Sequence, residues 1–189
     1  MTFGAAPQLG VTEFTIELWF MRTGPGVAVS TDDTGGIPSA VPLLTRGRSE
    51  AEGDTRDLNF FLGINSASGA LAADFEDAES GQNHPVFGNT AITPNAWHHA
   101  AATYDGTTFS LYLDGVLDAS VTLPDRPTPR HDSVQHAGLG TAMTSAGVSG
   151  AAGHFRGLLD EARVWSYART QEQLLAAMDR EIPYPLGGL

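Results

Sequence analysis

Two short runs hold the side chains best suited to chemistry. Asp57 and Asn59 open one apolar run, and Asp74 and Glu76 close the next. Alternate residues of an extended chain share a face at roughly 6.5–7 Å spacing, so each run offers a pair of oxygen-bearing side chains. Hard cations such as calcium take six to eight oxygen ligands, and Asp54 stands nearby. If the runs pair as a hairpin, the start of one strand adjoins the end of the other and four side chains reach one rim. Asp57, Asn59 and Asp74 are then the expected metal ligands, and Glu76 joins them in holding an ion or a ligand. The bland alternative is a solvated polar face.

Asn83-His84-Pro85 and Gln135-His136 lie in or beside loops. Imidazole and amide groups can hydrogen-bond ligand hydroxyls, and imidazole with carboxylate can hold a transition metal. Asn83, His84, Gln135 and His136 are therefore added to the expected ligand set, against the alternative of ordinary surface or core residues. His98 and His99 are neighbours on one strand, point to opposite faces and cannot both hold one ion. Asp160 shares parity with Ala162 and Val164, which predicts a carboxylate on the buried face. There it needs a partner, such as an ion pair with Arg163 or Arg46 or hydrogen bonds to loop amides. Trp19 and Trp165 have the parity opposite to the apolar set of their strands, and Trp97 opens a strand; any of them could be a stacking platform or simply cover a sheet.

The elements that must position these groups are mostly strands. Phe14, Ile16, Leu18 and Phe20 alternate with Thr15, Glu17, Trp19 and Met21, the two-residue period of a strand with one face on a core. Residues 22–40 read as a long loop, broken by Thr23-Gly-Pro-Gly and Asp32-Asp-Thr-Gly-Gly, before Val41-Pro-Leu-Leu-Thr resumes. Runs 58–64 and 70–76 form a hairpin in outline, followed by a polar excursion over 77–85. Runs 97–105, 108–114 and 116–123 are joined by Asp105-Gly106 and Asp114-Gly115, strong turn signals, and form three adjacent antiparallel strands. Runs 136–141 and 154–165 supply the last strands, with a Gly/Ala/Ser-rich loop at 145–153. Thr170-Gln-Glu-Gln173 has the spacing of a capping box; Leu174, Leu175 and Met178 can share the apolar face of a short helix that Pro183 stops. Short strands with turns throughout and one late helix predict an all-β antiparallel sandwich.

The composition is consistent with that architecture. The chain has 189 residues, enough for one domain, and its Gly 22 and Pro 11 exceed the usual share, as a turn-rich fold requires. A net charge of −12 repels phosphate backbones and anionic membrane surfaces. With no cysteine, disulfides, zinc-thiolate sites and thiol nucleophiles are excluded. No stretch approaches the roughly 20 apolar residues of a membrane span. Met1 directly before Thr2-Phe3-Gly4 reads as the start of a single domain, 1–189, excised from a longer parent protein. Signatures of acyl transfer, nucleotide binding and zincin chemistry are absent.

Four segments carry a likeness to a known family: Thr12-Glu-Phe-Thr-Ile-Glu-Leu-Trp-Phe20, Trp97-His-His-Ala-Ala-Ala-Thr-Tyr-Asp-Gly106, Leu111-Tyr-Leu-Asp-Gly115, and Gly157-Leu-Leu-Asp-Glu-Ala-Arg-Val-Trp165 with Tyr167-Ala-Arg169. In order and spacing the chain resembles the LamG-like jelly roll, akin to laminin G domains, pentraxins and concanavalin A-type lectins. The resemblance implies a two-sheet jelly-roll sandwich with ligands on a concave face or at its rim loops. It also implies a module of a larger secreted or cell-surface protein that binds carbohydrate, glycoconjugates or protein surfaces, often with calcium. In similar jelly rolls an Asp opening the last strand binds a structural calcium with early backbone carbonyls, which here suggests Asp160 and Gly47. The opening strand of the fold survives only as Thr2-Phe3-Gly4. Related retaining glycanases use Glu, Asp and Glu on one strand face; Asp74, Glu76 and Ala78 depart from that pattern, so the expected module binds rather than reacts. A structural spacer or protein-interaction module is the alternative.

Overall fold

Phe14, Ile16, Leu18 and Phe20 are wholly buried, as their alternation requires, and they lie on a nine-residue strand at the heart of one sheet. The computed structural model describes residues 1–31, 34–48 and 53–182. In chain order the strands are β1 (Thr2–Gly4), β2 (Phe14–Arg22), β3 (Ala40–Arg46), β4 (Phe60–Asn65), β5 (Ala70–Asp74), β6 (Val86–Ala91), β7 (Trp97–Tyr104), β8 (Thr108–Leu113), β9 (Val116–Thr122), β10 (Ala137–Leu139) and β11 (Gly157–Trp165), followed by helix α1 (Gln171–Ala177). Asp32, Asp33 and Pro183, read from the sequence as breaks, lie outside the described residues.

The strands form two antiparallel sheets, ordered β1-β10-β3-β4-β5-β6 and β11-β2-β7-β8-β9. Their facing sides enclose the main core, which includes Phe14, Leu18, Leu62, Leu71, Ala102 and Leu111. The sandwich and the three-strand run β7-β8-β9 are as expected. Its second turn shows why: Asp114 and Gly115 have φ of 52° and 75°, the left-handed pair that a two-residue hairpin turn needs and that Asp-Gly supplies.

The outer faces are also covered. Val29, Ile37, Ala142 and Ala152, from the segments flanking β3 and β11, close over Leu58, Phe61 and Ala72 of the six-stranded sheet. On the other sheet, Glu17 is fully buried beneath the C-terminal segment. Its Oε1 accepts from Arg169 at 2.8 Å and from Trp165 Nε1 at 2.8 Å, and its Oε2 lies 3.4 Å from His99 Nε2. Burial alone would raise the Glu17 pKa, but the hydrogen bonds from His99 and Trp165 and the charge of Arg169 outweigh it and hold the group below the usual range. The same face grips the helix by its late carbonyls. Trp19 Nε1 donates to Met178 O at 2.8 Å, Arg163 to Ala177 O at 2.9 Å, and Arg169 to Gln173 O at 2.6 Å.

Helix α1 starts with the expected capping box, Thr170 and Gln173 each bonding the other's backbone N–H. Of its apolar residues only Leu174 is fully buried; Leu175 is 47% exposed, so the expected three-residue face reduces to one anchor. Trp19 and Trp165 do point outward, but α1 and Arg169 occupy them, so neither is an open platform.

The sequence parity of β11 misplaced Asp160. Register jumps between Asp160 and Arg163, where Glu161 takes a φ of 48°. This bulge reverses the alternation. Leu159 and Val164 therefore both pack on the core, while Asp160 is exposed and accepts only from Glu161 N, at 2.9 Å. It meets neither Arg163 nor Arg46, which bind Glu161 and Asn59.

The two side seams of the sandwich differ. Between β1 and β11 an apolar cavity of about 320 Å³ opens onto Leu44, Phe60, Leu139 and Val164. Between β6 and β9, Asp118 closes the gap: its carboxylate accepts from Asn89 N at 2.9 Å, Thr90 N at 3.1 Å and Thr90 Oγ1 at 2.6 Å. The polar, mostly exposed β6 carries no alternation that sequence reading could detect. Replacing Asp118 with Ala leaves two edge N–H groups without their acceptor and should cost about 2 kcal/mol, a fall of roughly 4–8 °C in Tm; calorimetry of the variant checks it.

Candidate functional site

One end of the sandwich collects nearly all the residues singled out by sequence. There β3, β5 and β7 finish, β4, β6, β8 and β10 begin, and the 53–59, 75–85 and 123–136 segments form a rim. An aromatic knot lies beneath it. Phe75 packs against Tyr104 at 4.8 Å, Phe109 at 5.3 Å and Phe14 at 6.3 Å between ring centroids. On its far side it meets the His84 ring at 5.1 Å. The Tyr104 hydroxyl donates to Pro127 O at 2.7 Å, tying the 123–136 segment to the same knot; burial raises that phenol to about 12.

The hairpin expected of β4 and β5 forms, with Phe61 opposite Asp74 and Glu76 N donating to Leu58 O at 3.0 Å. The four oxygen-bearing residues are thus neighbours, yet each faces a different partner. Asp57 Oδ1 accepts from Gln135 Nε2, and its carbonyl accepts from Ser133 Oγ. Asn59 is turned toward Val11 and Arg46, accepting from Arg46 at 3.2 Å. Glu76, 3% exposed, takes Arg130 Nε at 2.9 Å. Asp74, wholly buried, accepts from Thr31 Oγ1 at 2.5 Å and Asn83 Nδ2 at 3.0 Å.

These contacts test whether the group fits a cation. Two guanidiniums already engage this set, Arg130 on Glu76 and Arg46 on Asn59. Among the described residues no three His, Asp or Glu side chains are grouped to hold a metal. Gly47 does approach this cluster: with φ 95° it lies so close to Asp57 O that a Cβ would collide with it. Gly47 directly follows β3 of the six-stranded sheet, whereas Asp160 lies on β11 of the other sheet with its carboxylate on Glu161 N.

His84 and His136, expected together, are separated. The His136 ring packs on the backbone of Gly147, while Gln135 turns inward to Asp57 and to Arg48 N, at 2.6 Å. His84 instead lines an open cavity of about 290 Å³ with Asp77, Glu79, Ser80, Gln82, Asp125, Arg126 and Pro127. Its Nε2 lies 2.9 Å from Asp77 Oδ2. Asp77 also accepts from Ser80 N and from Ser80 Oγ, at 2.8 and 2.9 Å. The second ring nitrogen of His84 has no partner among the described residues. Asp77 and Arg130 are not among the residues the sequence singles out, because nothing in their spacing marks one for a cavity wall and the other for a buried acid.

Asp74 is the electrostatic outlier. Its Oδ1 has no hydrogen-bond partner among the described residues, and burial lifts its pKa to about 8. A folded-state pKa above the unfolded value means that the native state holds a proton the unfolded chain has released. Stability from this group is therefore present below about pH 4 and lost as pH rises toward 8. Asp74→Asn keeps an acceptor for Thr31 and Asn83 and carries no charge. The variant should gain on the order of 1–3 kcal/mol relative to wild type between pH 5 and pH 8, read from urea midpoints.

Solved structures share the architecture. The CBM40 domain of Ruminococcus gnavus IT-sialidase, bound to α2,3-sialyllactose, matches with a TM-score of 0.69 at 16% identity, over 90% of this chain and 85% of that one. A SAP-like pentraxin from Limulus polyphemus matches at 0.60 and 14%, over 92% and 73%. Domain 4 of AbnA, an arabinanase from Geobacillus stearothermophilus, in complex with arabinotriose, matches at 0.54 and 18%, over 87% and 66%. At these identities the likeness establishes the fold. Comparison with curated protein sequences returns no match. The laminin G family model of the concanavalin A-like lectin/glucanases superfamily matches residues 1–175, and on that span, with the two-sheet jelly roll behind it, the chain belongs to this family.

Proposed function

We propose that this domain is a non-catalytic carbohydrate-binding module whose ligand sits at the rim cavity between the 75–85 and 123–131 segments. The observation that carries the reading is the cavity itself. It is a concave site, with His84 packed on Phe75 beneath the rim, that presents an imidazole, a hydroxyl, amide and carboxylate groups and a guanidinium side by side. Such a mixture matches the dense donors and acceptors of a sugar. The central outer face of each sheet is covered, which favours the rim over a sheet platform. The sugars named for two of the solved relatives support the same ligand class.

The strand-face pair that a retaining glycanase would use, Asp74 and Glu76, is not open to a sugar, which favours binding over turnover. Double displacement needs two acids about 5–5.5 Å apart across the sugar. Asp74 and Glu76 are both buried, the first held by Thr31 and Asn83 and the second by Arg130. A role as a module of a larger secreted or surface protein fits this reading; no helix among the described residues is long and apolar enough to cross a membrane.

Glycan-array screening followed by titration calorimetry tests the proposal. At least one oligosaccharide should bind, and His84→Ala should weaken it by about tenfold, the scale of one lost hydrogen bond with its desolvated partner. Retained melting temperature with no binding to any glycan would turn the assignment toward a spacer. Calcium has its own test. An ion at Asp57, Asn59, Asp74 and Glu76 would have to displace two guanidiniums, so melting curves in excess calcium and in EDTA should coincide. A rise of several degrees in calcium would instead show an ion bound by the native state, and loss of that rise in Asp57→Asn would locate it there.

A further inference from the structure

The geometry points to an uncharged saccharide as the guest of the rim cavity, with acidic sugars turned away. This rests on the carbohydrate-binding reading and adds the charge class of the ligand. Three carboxylates line the cavity, Asp77, Glu79 and Asp125, against one guanidinium, Arg126. Asp77 stays ionised: burial opposes its charge, but the hydrogen bonds from His84 and Ser80 outweigh burial and lower its pKa. Glu79 is positioned by Thr128 N, which donates to its Oε2 at 3.2 Å. Arg126 has its Nε on Gly106 O at 3.3 Å.

Three other arginines at this end, Arg46, Arg56 and Arg130, are engaged. Arg46 is 1% exposed and donates to Asn59, His131 O and Ser133 O. Arg130 is buried on Glu76 and reaches Ala78 O. Arg56 is closed on Asp54 at 3.1 Å. A sugar carboxylate entering the cavity would therefore meet an excess of like charge, which salt can screen because Glu79 and Asp125 are exposed. A sugar hydroxyl meets the reverse. It donates to Asp77, Glu79 or Asp125 in a charge-assisted bond, or to the open nitrogen of His84, whose other nitrogen faces Asp77.

The test titrates the full chain with neutral arabino-, xylo-, gluco- and manno-oligosaccharides and with 3′-sialyllactose and trigalacturonate, at about 20 and about 300 mM salt. The best neutral sugar should bind at least about tenfold more tightly than either acidic one at low salt, with a gap that narrows as salt screens the repulsion, while its own affinity changes less than about twofold. Glu79→Gln combined with Asp125→Asn should raise the acidic sugars at least about threefold relative to the neutral one. If that variant does not fold, the salt series on the wild type decides. An acidic sugar that binds as well as or better than every neutral one overturns the charge inference and leaves carbohydrate binding standing. Silence across the whole panel removes the carbohydrate reading and this inference with it.

Discussion

Phe75 is held between Tyr104 and His84, and the functional end of the molecule is organised around that double contact. The ring belongs to the main core, so the position of His84 is set by hydrophobic packing rather than by loop conformation alone. Tyr104 passes the same constraint to the opposite wall through its bond to Pro127 O. Both walls of the rim cavity are thereby referenced to one aromatic knot, and the cavity can be polar without being loose. A site whose first contacts are fixed by a packed core loses less entropy on binding than one built from free loops.

Behind that cavity the structure handles buried charge in two different ways. Glu76 and Glu17 are each matched by a guanidinium, Arg130 and Arg169, and by further hydrogen bonds. Asp74 accepts only neutral donors among the described residues and is left with a lifted pKa. The difference is physical: an ion pair compensates desolvation where hydroxyl and amide donors do so incompletely. The guanidiniums also explain why a cluster of acids and amides that suggests a cation from sequence does not present itself as a cradle. Arg46 and Arg130 reach it from distant segments, and neither spacing nor composition announces that they will.

The sequence made much of the scaffold legible. Alternation in β2, the Asp-Gly turns around β8 and the capping box at Thr170 are local signals with local causes, and each appears where expected. The failures are equally physical. Parity counting carried Asp160 to the core because a bulge at Glu161 costs one step of alternation and leaves no mark in composition. Strand β6 went unread because an edge strand with one buried residue needs no apolar period.

Adjacency of the 57/59 and 74/76 pairs was readable, since antiparallel pairing of two consecutive apolar runs obliges it. What those side chains do was not. Period and turn chemistry are properties of residues within a few positions of one another, so the chain alone determined its strands, its hairpins and its sandwich class. Which partner the carboxylates of Glu76 and Asp57 meet depends on residues 50 or more positions away, Arg130 for the first and Gln135 for the second. Only the closing of the two sheets and the folding of the long segments over them decided that Asp77 and His84 would line the cavity while Asp57 and Glu76 would be sealed beneath it.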